Sequence, residues 1–189
     1  MSRYLETIKS LDGVLFHMPY HQRRYEESIG FSHAKNLCEL LDPPKEGLWR
    51  CRVVYDETSL EVSYHPYVKR TISALKLIEA ENLEYSKKYA RRSDLDALYA
   101  NRGEADDVLI VQNEYITDTT IANIALYKEG VWYTPKKPLL KGTTRARLLD
   151  AEVLVERDIL ACELHEYSQI ALMNAMIEFD VLDSCHFLL

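Results

Sequence analysis

Apolar and polar residues are interleaved in strand-like runs from Tyr4 to Phe16, on either side of Asp12-Gly13. Such runs around Asp-Gly predict a hairpin, because Gly accepts the positive φ of a tight turn. Pro19 then precedes a charged amphipathic stretch, Tyr20 to Leu41, broken at Gly30 and restarted at Ser32 as an N-cap, which predicts two consecutive helices ended by Asp42-Pro43-Pro44. From Trp49 the pattern turns to β. Residues 50–55 and 60–64 read as strands about an Asp56–Ser59 turn, and a third strand covers Ile72 to Ile78. These elements predict a small α/β lobe over residues 1–84 and a second, larger lobe over 85–189. In the second lobe, Ser93 to Tyr99 and Thr144 to Asp150 read as helical, with a brief helix around Ile159 to Leu164. Residues 107–111, 120–126 and 131–133 read as short antiparallel strands.

The chain has 189 residues, enough for one large domain or two small lobes without disulfide staples. It is 47% hydrophobic and 28% charged, which excludes a disordered or collagenous chain. Lys and Arg number 23 against 30 Asp and Glu, a balance of −7 that argues against nucleic acid or anionic lipid as partner and for a small ligand. No apolar run approaches the roughly 20 residues that span a bilayer, so no membrane insertion is expected. Four scattered cysteines without a CxxC pair predict reduced thiols and a cytoplasmic protein. Cys162 and His165 lack a second ligand pair, so no metal is expected.

Four segments could carry chemistry. His21 and Arg24 share one helical face, where a guanidinium could grip a phosphate, although a solvated helix end fits as well. Tyr85 to Arg92 concentrates positive charge around Lys87 and Lys88; neighbouring cations lower a lysine's pKa, as a nucleophilic amine requires, and a basic surface patch is the alternative. Ile116 to Ile124 sets Asp118 and Asn123 in a hydroxyl-rich strand region where burial demands hydrogen-bond partners. Leu139 to Arg145 places Gly142, Thr143 and Thr144 ahead of a helix, either as an anion grip or as ordinary loop punctuation.

In this order the segments resemble the class IV aminotransferase family, the fold-type-IV enzymes dependent on pyridoxal phosphate. The match runs from Leu5-Glu6-Thr7-Ile8-Lys9 through His21-x-x-Arg24, Lys88, Thr117 to Ile124, Trp132-Tyr133-Thr134-Pro135 and Leu140 to Arg145, and reaches Ile170 to Ala175. The resemblance implies a two-lobed α/β (α+β) fold with a small α/β lobe and a larger pseudo-barrel lobe, shortened at its N-terminus by one strand and hairpin, with the Schiff-base lysine in the larger lobe. It implies pyridoxal 5'-phosphate as cofactor and a homodimer.

By the same resemblance, Lys88 is the catalytic lysine, preferred over Lys87 because Lys88-Tyr89-Ala90-Arg91-Arg92 looks like the family's Lys-x-x-x-Arg variant. Arg24, Thr143 and Thr144 would bind the cofactor phosphate. Asp118 would face the pyridine nitrogen in place of the usual Glu, with Thr119 beside it among the cofactor contacts. Arg52 and Arg145 are candidates for the substrate carboxylates. Arg92-Ser93 after the lysine looks like the 4-amino-4-deoxychorismate lyase subgroup, which releases 4-aminobenzoate and pyruvate. An amino-acid aminotransferase of branched-chain or D-amino acid type, or a non-catalytic protein that binds the cofactor or serves as an interaction module, are the alternatives.

Overall fold

The computed structural model describes residues 2–188. They divide into two units: residues up to Lys69 with Lys87–Arg91, and Arg70–Ser86 with the described residues from Arg92 onward.

In the first unit, β1 (Tyr4–Leu11) and β2 (Val14–Leu15) form the expected hairpin. Asp12 and Gly13 both have positive φ, 49° and 82°, the combination that matches a two-residue turn to the twist of its strands. α1 (Met18–Ile29) carries Pro19 in its first turn, where a missing N–H breaks no helical bond, and ends at Gly30 with φ 86°. The second helix expected from Ser32 is not continuous. A 3-10 turn, Phe31–His33, leads to extended backbone at Ala34, and only one helical turn follows, α2 (Leu37–Leu40), capped by the Asn36 side chain. The cause is apolar supply: the stretch gives the core chiefly Leu37 and Leu41, while Phe31 stays 74% exposed.

β3 (Leu48–Tyr55) and β4 (Leu60–Pro66) complete an antiparallel sheet of order β2-β1-β3-β4. One face presents Ile8, Cys51, Val53 and Tyr55 to Met18, Tyr25, Ile29, Leu37 and Leu41. Lys87–Arg91 joins this unit along the part of the β1 edge that β2 leaves open. Leu5 N–H donates to Lys88 C=O and Ala90 N–H to Arg3 C=O, each at 2.8 Å. The expected division at 84/85 therefore does not hold, and Lys88 belongs to the smaller unit, because these backbone bonds return its segment to β1.

The second unit contains β5 (Ala74–Glu79), α3 (Ser93–Ala100), β6 (Asp107–Gln112), β7 (Tyr115–Thr119), β8 (Asn123–Lys128), β9 (Val131–Pro135), α4 (Thr143–Asp150), β10 (Leu154–Arg157), a 3-10 turn Ala161–Glu166, β11 (Gln169–Asn174), β12 (Glu178–Val181) and β13 (His186–Leu188). Its sheet runs β10-β9-β8-β7-β6-β5-β13, with β11 also on β8 and β12 on β11. The strand expected at 72–78 is β5, and it pairs in parallel with β6 inside this unit rather than completing the small lobe. The strand expected at 120–126 starts only at Asn123. Thr119 Oγ1 accepts the Ala122 N–H at 3.0 Å and turns the chain there. Successive residues of β8 serve two cores: Ile124 and Leu126 pack with Leu75, Leu109 and Leu172, and Ala125 with Leu148 of α4 and Met173. Among the described residues no helix is long and apolar enough to cross a membrane.

Candidate functional site

Each unit gathers part of the expected chemistry. In the first, Glu6 occupies an inward position of β1 between Tyr4 and Ile8 and is fully buried. A carboxylate there needs partners, and α1 supplies two from one face, three residues apart. His21 Nδ1 lies 2.6 Å from Oε2, and Arg24 donates through Nε to Oε1 at 2.7 Å and through Nη2 to Oε2 at 2.6 Å. Burial alone pushes the Glu6 carboxyl up, but Arg24 and His21 outweigh it and hold the group at about 2. Burial lowers the His21 pKa and Arg24 and Lys88 act in the same direction, against the pull of Glu6. A neutral imidazole beside an ionised carboxylate must carry its proton on Nδ1, so His21 donates to Glu6.

Lys88 is half-buried, with its backbone fixed on β1. Lys87 is engaged otherwise: its Nζ donates to Ser28 C=O at 3.0 Å and lies 5.1 Å from the centre of the Tyr4 ring. Arg52 stands on β3 between Thr7 and Ser63 of the flanking strands, half-buried.

In the second unit, Asp118 and Asn123 face each other across β7 and β8. Asn123 Nδ2 donates to Asp118 Oδ1 at 2.7 Å and to Leu140 C=O at 2.8 Å, while Asp118 Oδ2 accepts the Leu140 N–H at 2.9 Å. Asp118 is 4% exposed, and burial pushes its carboxyl up to about 7 despite these donors. Two residues past Leu140, Gly142 opens α4 without a side-chain cap, so the first-turn N–H groups of Thr143 and Thr144 are not capped by the chain. Both threonines are buried, and among the described residues neither hydroxyl makes a hydrogen bond. Uncapped amides and hydroxyls at the positive end of a helix are what a phosphate dianion requires, so the residues present fit that part of the expected cofactor.

Two expected site residues are engaged elsewhere. Arg145 is 4% exposed, and its Nη2 donates to Pro135 C=O at 2.9 Å and to Glu156 at 2.6 Å, bracing β9 and β10 instead of meeting a substrate carboxylate. Thr119 uses its hydroxyl within its own turn, accepting from Ala122 N–H and donating to Ala122 C=O. Asn123 makes the hydrogen bonds that its buried strand position demands, whereas Glu6 is a functional candidate that the motif reading did not single out as a site group. The signal for Glu6 was present, since a charge at an apolar phase of a strand demands a buried partner.

The family model described as amino-transferase class IV matches residues 50–180. An uncharacterised protein of Haemophilus influenzae is 32% identical over 180 residues, 90% of this chain and 96% of its own. A proposed 4-amino-4-deoxychorismate lyase from Haemophilus somnus 129PT is 31% identical and superposes with a TM-score of 0.86, over 93% of this chain and 97% of its own. A hypothetical aminotransferase from Mycobacterium tuberculosis in its PLP-bound form shares the fold, with a TM-score of 0.77 at 16% identity, over 97% of this chain and 81% of that one. The match of the family model over more than half of the sequence, joined by a relative that spans nearly all of it, places the chain in the class IV aminotransferase family.

Proposed function

We propose that this protein is a pyridoxal 5'-phosphate-dependent enzyme that cleaves 4-amino-4-deoxychorismate to 4-aminobenzoate and pyruvate. The observation that carries the reading is the likeness to the H. somnus lyase candidate, at 31% identity with both chains almost fully covered. The cofactor would supply an electrophilic aldehyde and a ring that takes up the electrons left when a proton departs from carbon.

The residues divide the remaining work. In the second unit, Thr143 and Thr144 would hold the phosphate through their N–H groups and hydroxyls; in the first, Arg24 remains a candidate phosphate ligand, with Glu6 fixing the plane of its guanidinium. Asp118 would accept from the protonated ring nitrogen; each of its oxygens already accepts one protein hydrogen bond and has a second lone pair. The Lys88 amine would remove the proton from the carbon bearing the substrate's amino group and return it later. Arg52 remains a candidate for a substrate carboxylate. With this reading we propose a homodimer in the cytoplasm, acting on a small amino substrate.

Borohydride reduction of the yellow holoprotein should fix the cofactor on one peptide containing Lys88, and Lys88→Ala should abolish the adduct with the circular dichroism unchanged. An adduct that survives in this variant would move the role to Lys87. Product analysis with aminodeoxychorismate then separates the reactions: 4-aminobenzoate and pyruvate formed without a keto-acid acceptor support the lyase, and turnover only with an acceptor supports the aminotransferase.

A further inference from the structure

The peptide of Leu140 is held at both of its polar ends. Its N–H goes to Asp118 Oδ2, its C=O receives one N–H of Asn123, and the second N–H of the same amide goes to Asp118 Oδ1. Both donors of the Asn123 amide are thereby used. Its Oδ1 lies against Gly142 so closely that a Cβ at that position would overlap it. Gly142 has φ −68°, which any residue adopts, so what excludes a side chain there is space alone. Three contacts from one strand pair thus set the backbone that leads into α4.

We propose that Asp118 and Asn123 act as a clamp of two positioning residues, holding the Leu140–Gly142 backbone so that the N–H groups and hydroxyls of Thr143 and Thr144 stay aimed at an incoming phosphate. The inference rests on the cofactor reading above and deepens it, giving Asp118 a task at the anion end of the ligand. What points to a ligand, beyond a well-made loop, is the pair of threonines: at 7% and 3% exposure they keep hydroxyls that no described group bonds, beside amides that no side chain caps. Their hydroxyl oxygens are not sealed from solvent, so they stay open to an arriving acceptor, and the clamp keeps them from collapsing onto chain partners. A positioning device of this kind acts through geometry, so its loss should be felt by the phosphate and not by the rest of the ligand.

The test uses the full chain freed of cofactor, titrated separately with pyridoxal 5'-phosphate, pyridoxal and inorganic phosphate. In the wild type the phosphorylated compound should bind at least a hundredfold more tightly than pyridoxal, and phosphate alone should raise the melting midpoint. Asn123→Ala should cut that preference tenfold or more and remove the phosphate-induced rise, with pyridoxal affinity within twofold of wild type. Gly142→Ala, which displaces Asn123 and leaves Asp118 in place, should do the same and serves if Asn123→Ala does not fold. An unchanged preference, or an equal loss of affinity for pyridoxal, overturns the clamp while leaving the cofactor assignment intact. A wild-type protein that binds neither B6 compound overturns both.

Discussion

A single buried carboxylate shows how sequence position and charge combine at the residue scale. Glu6 sits at a core-facing position of β1, and its ionised form is held by Arg24 and His21. Its pKa falls from 4.5 to about 2 on folding, so it stabilises the fold fully above pH 4.5 and loses that contribution as pH drops toward 2. Glu6→Gln leaves Arg24 and His21 without the charge they face, and removing one partner of a buried pair typically costs about 3–5 kcal/mol. The urea midpoint at pH 7 should drop accordingly, with a weaker acid limb than wild type below pH 4.5. A variant as stable as wild type at pH 7 would show that the network does not hold the fold. The charge of Glu6 could be read as anomalous in the strand pattern; its partners could not, since they lie 15 and 18 residues away on another element.

The turns and termini carry the information at the scale of elements. The β1–β2 hairpin was legible because Asp-Gly specifies its own backbone, and the start of α4 because Gly-Thr-Thr marks a helix entry. The single turn of α2 was not legible, since the charged pattern around Ser32 resembles a helix until the scarcity of buried positions is known. The same holds for Arg145, whose burial no spacing announces. Gly142→Ala forces a methyl into the space of Asn123 Oδ1, and overpacking of this kind costs about 1–3 kcal/mol. Thermal melting should show the loss in Gly142→Ala and largely recover it in Gly142→Ala/Asn123→Ala measured against Asn123→Ala alone. A loss of equal size in both backgrounds would place its cause away from Asn123.

The titrating groups act against one another at the scale of the whole molecule. His21 is driven below its ordinary 6.5, so the unfolded chain takes up a proton first and stability falls as pH drops below 6.5. Asp118 is raised from 3.8 to about 7, so the folded chain holds a proton that the unfolded chain releases, and stability falls as pH rises across that window. Just below pH 6.5 the two slopes oppose each other, and the denaturant midpoint should change little there. Asp118→Asn removes one of them, and the midpoint should then rise with pH through that range; a flat profile in the variant would contradict the assignment. Family membership was legible from the order of soft motifs, which survives where each motif alone is weak. The division of the chain was not, because nothing in the periodicity of residues 85–92 announces that five of them return to β1.

That return makes neither unit a continuous stretch of polypeptide. Residues 1–69 alone lack the lysine, and residues 70–189 carry it without the strand edge that anchors its backbone. The two halves therefore cannot be exchanged between relatives as cassettes by a single crossover: any splice between them parts Lys88 from the strand that anchors its backbone, so recombination within the family has to carry the loop and its distant strand together.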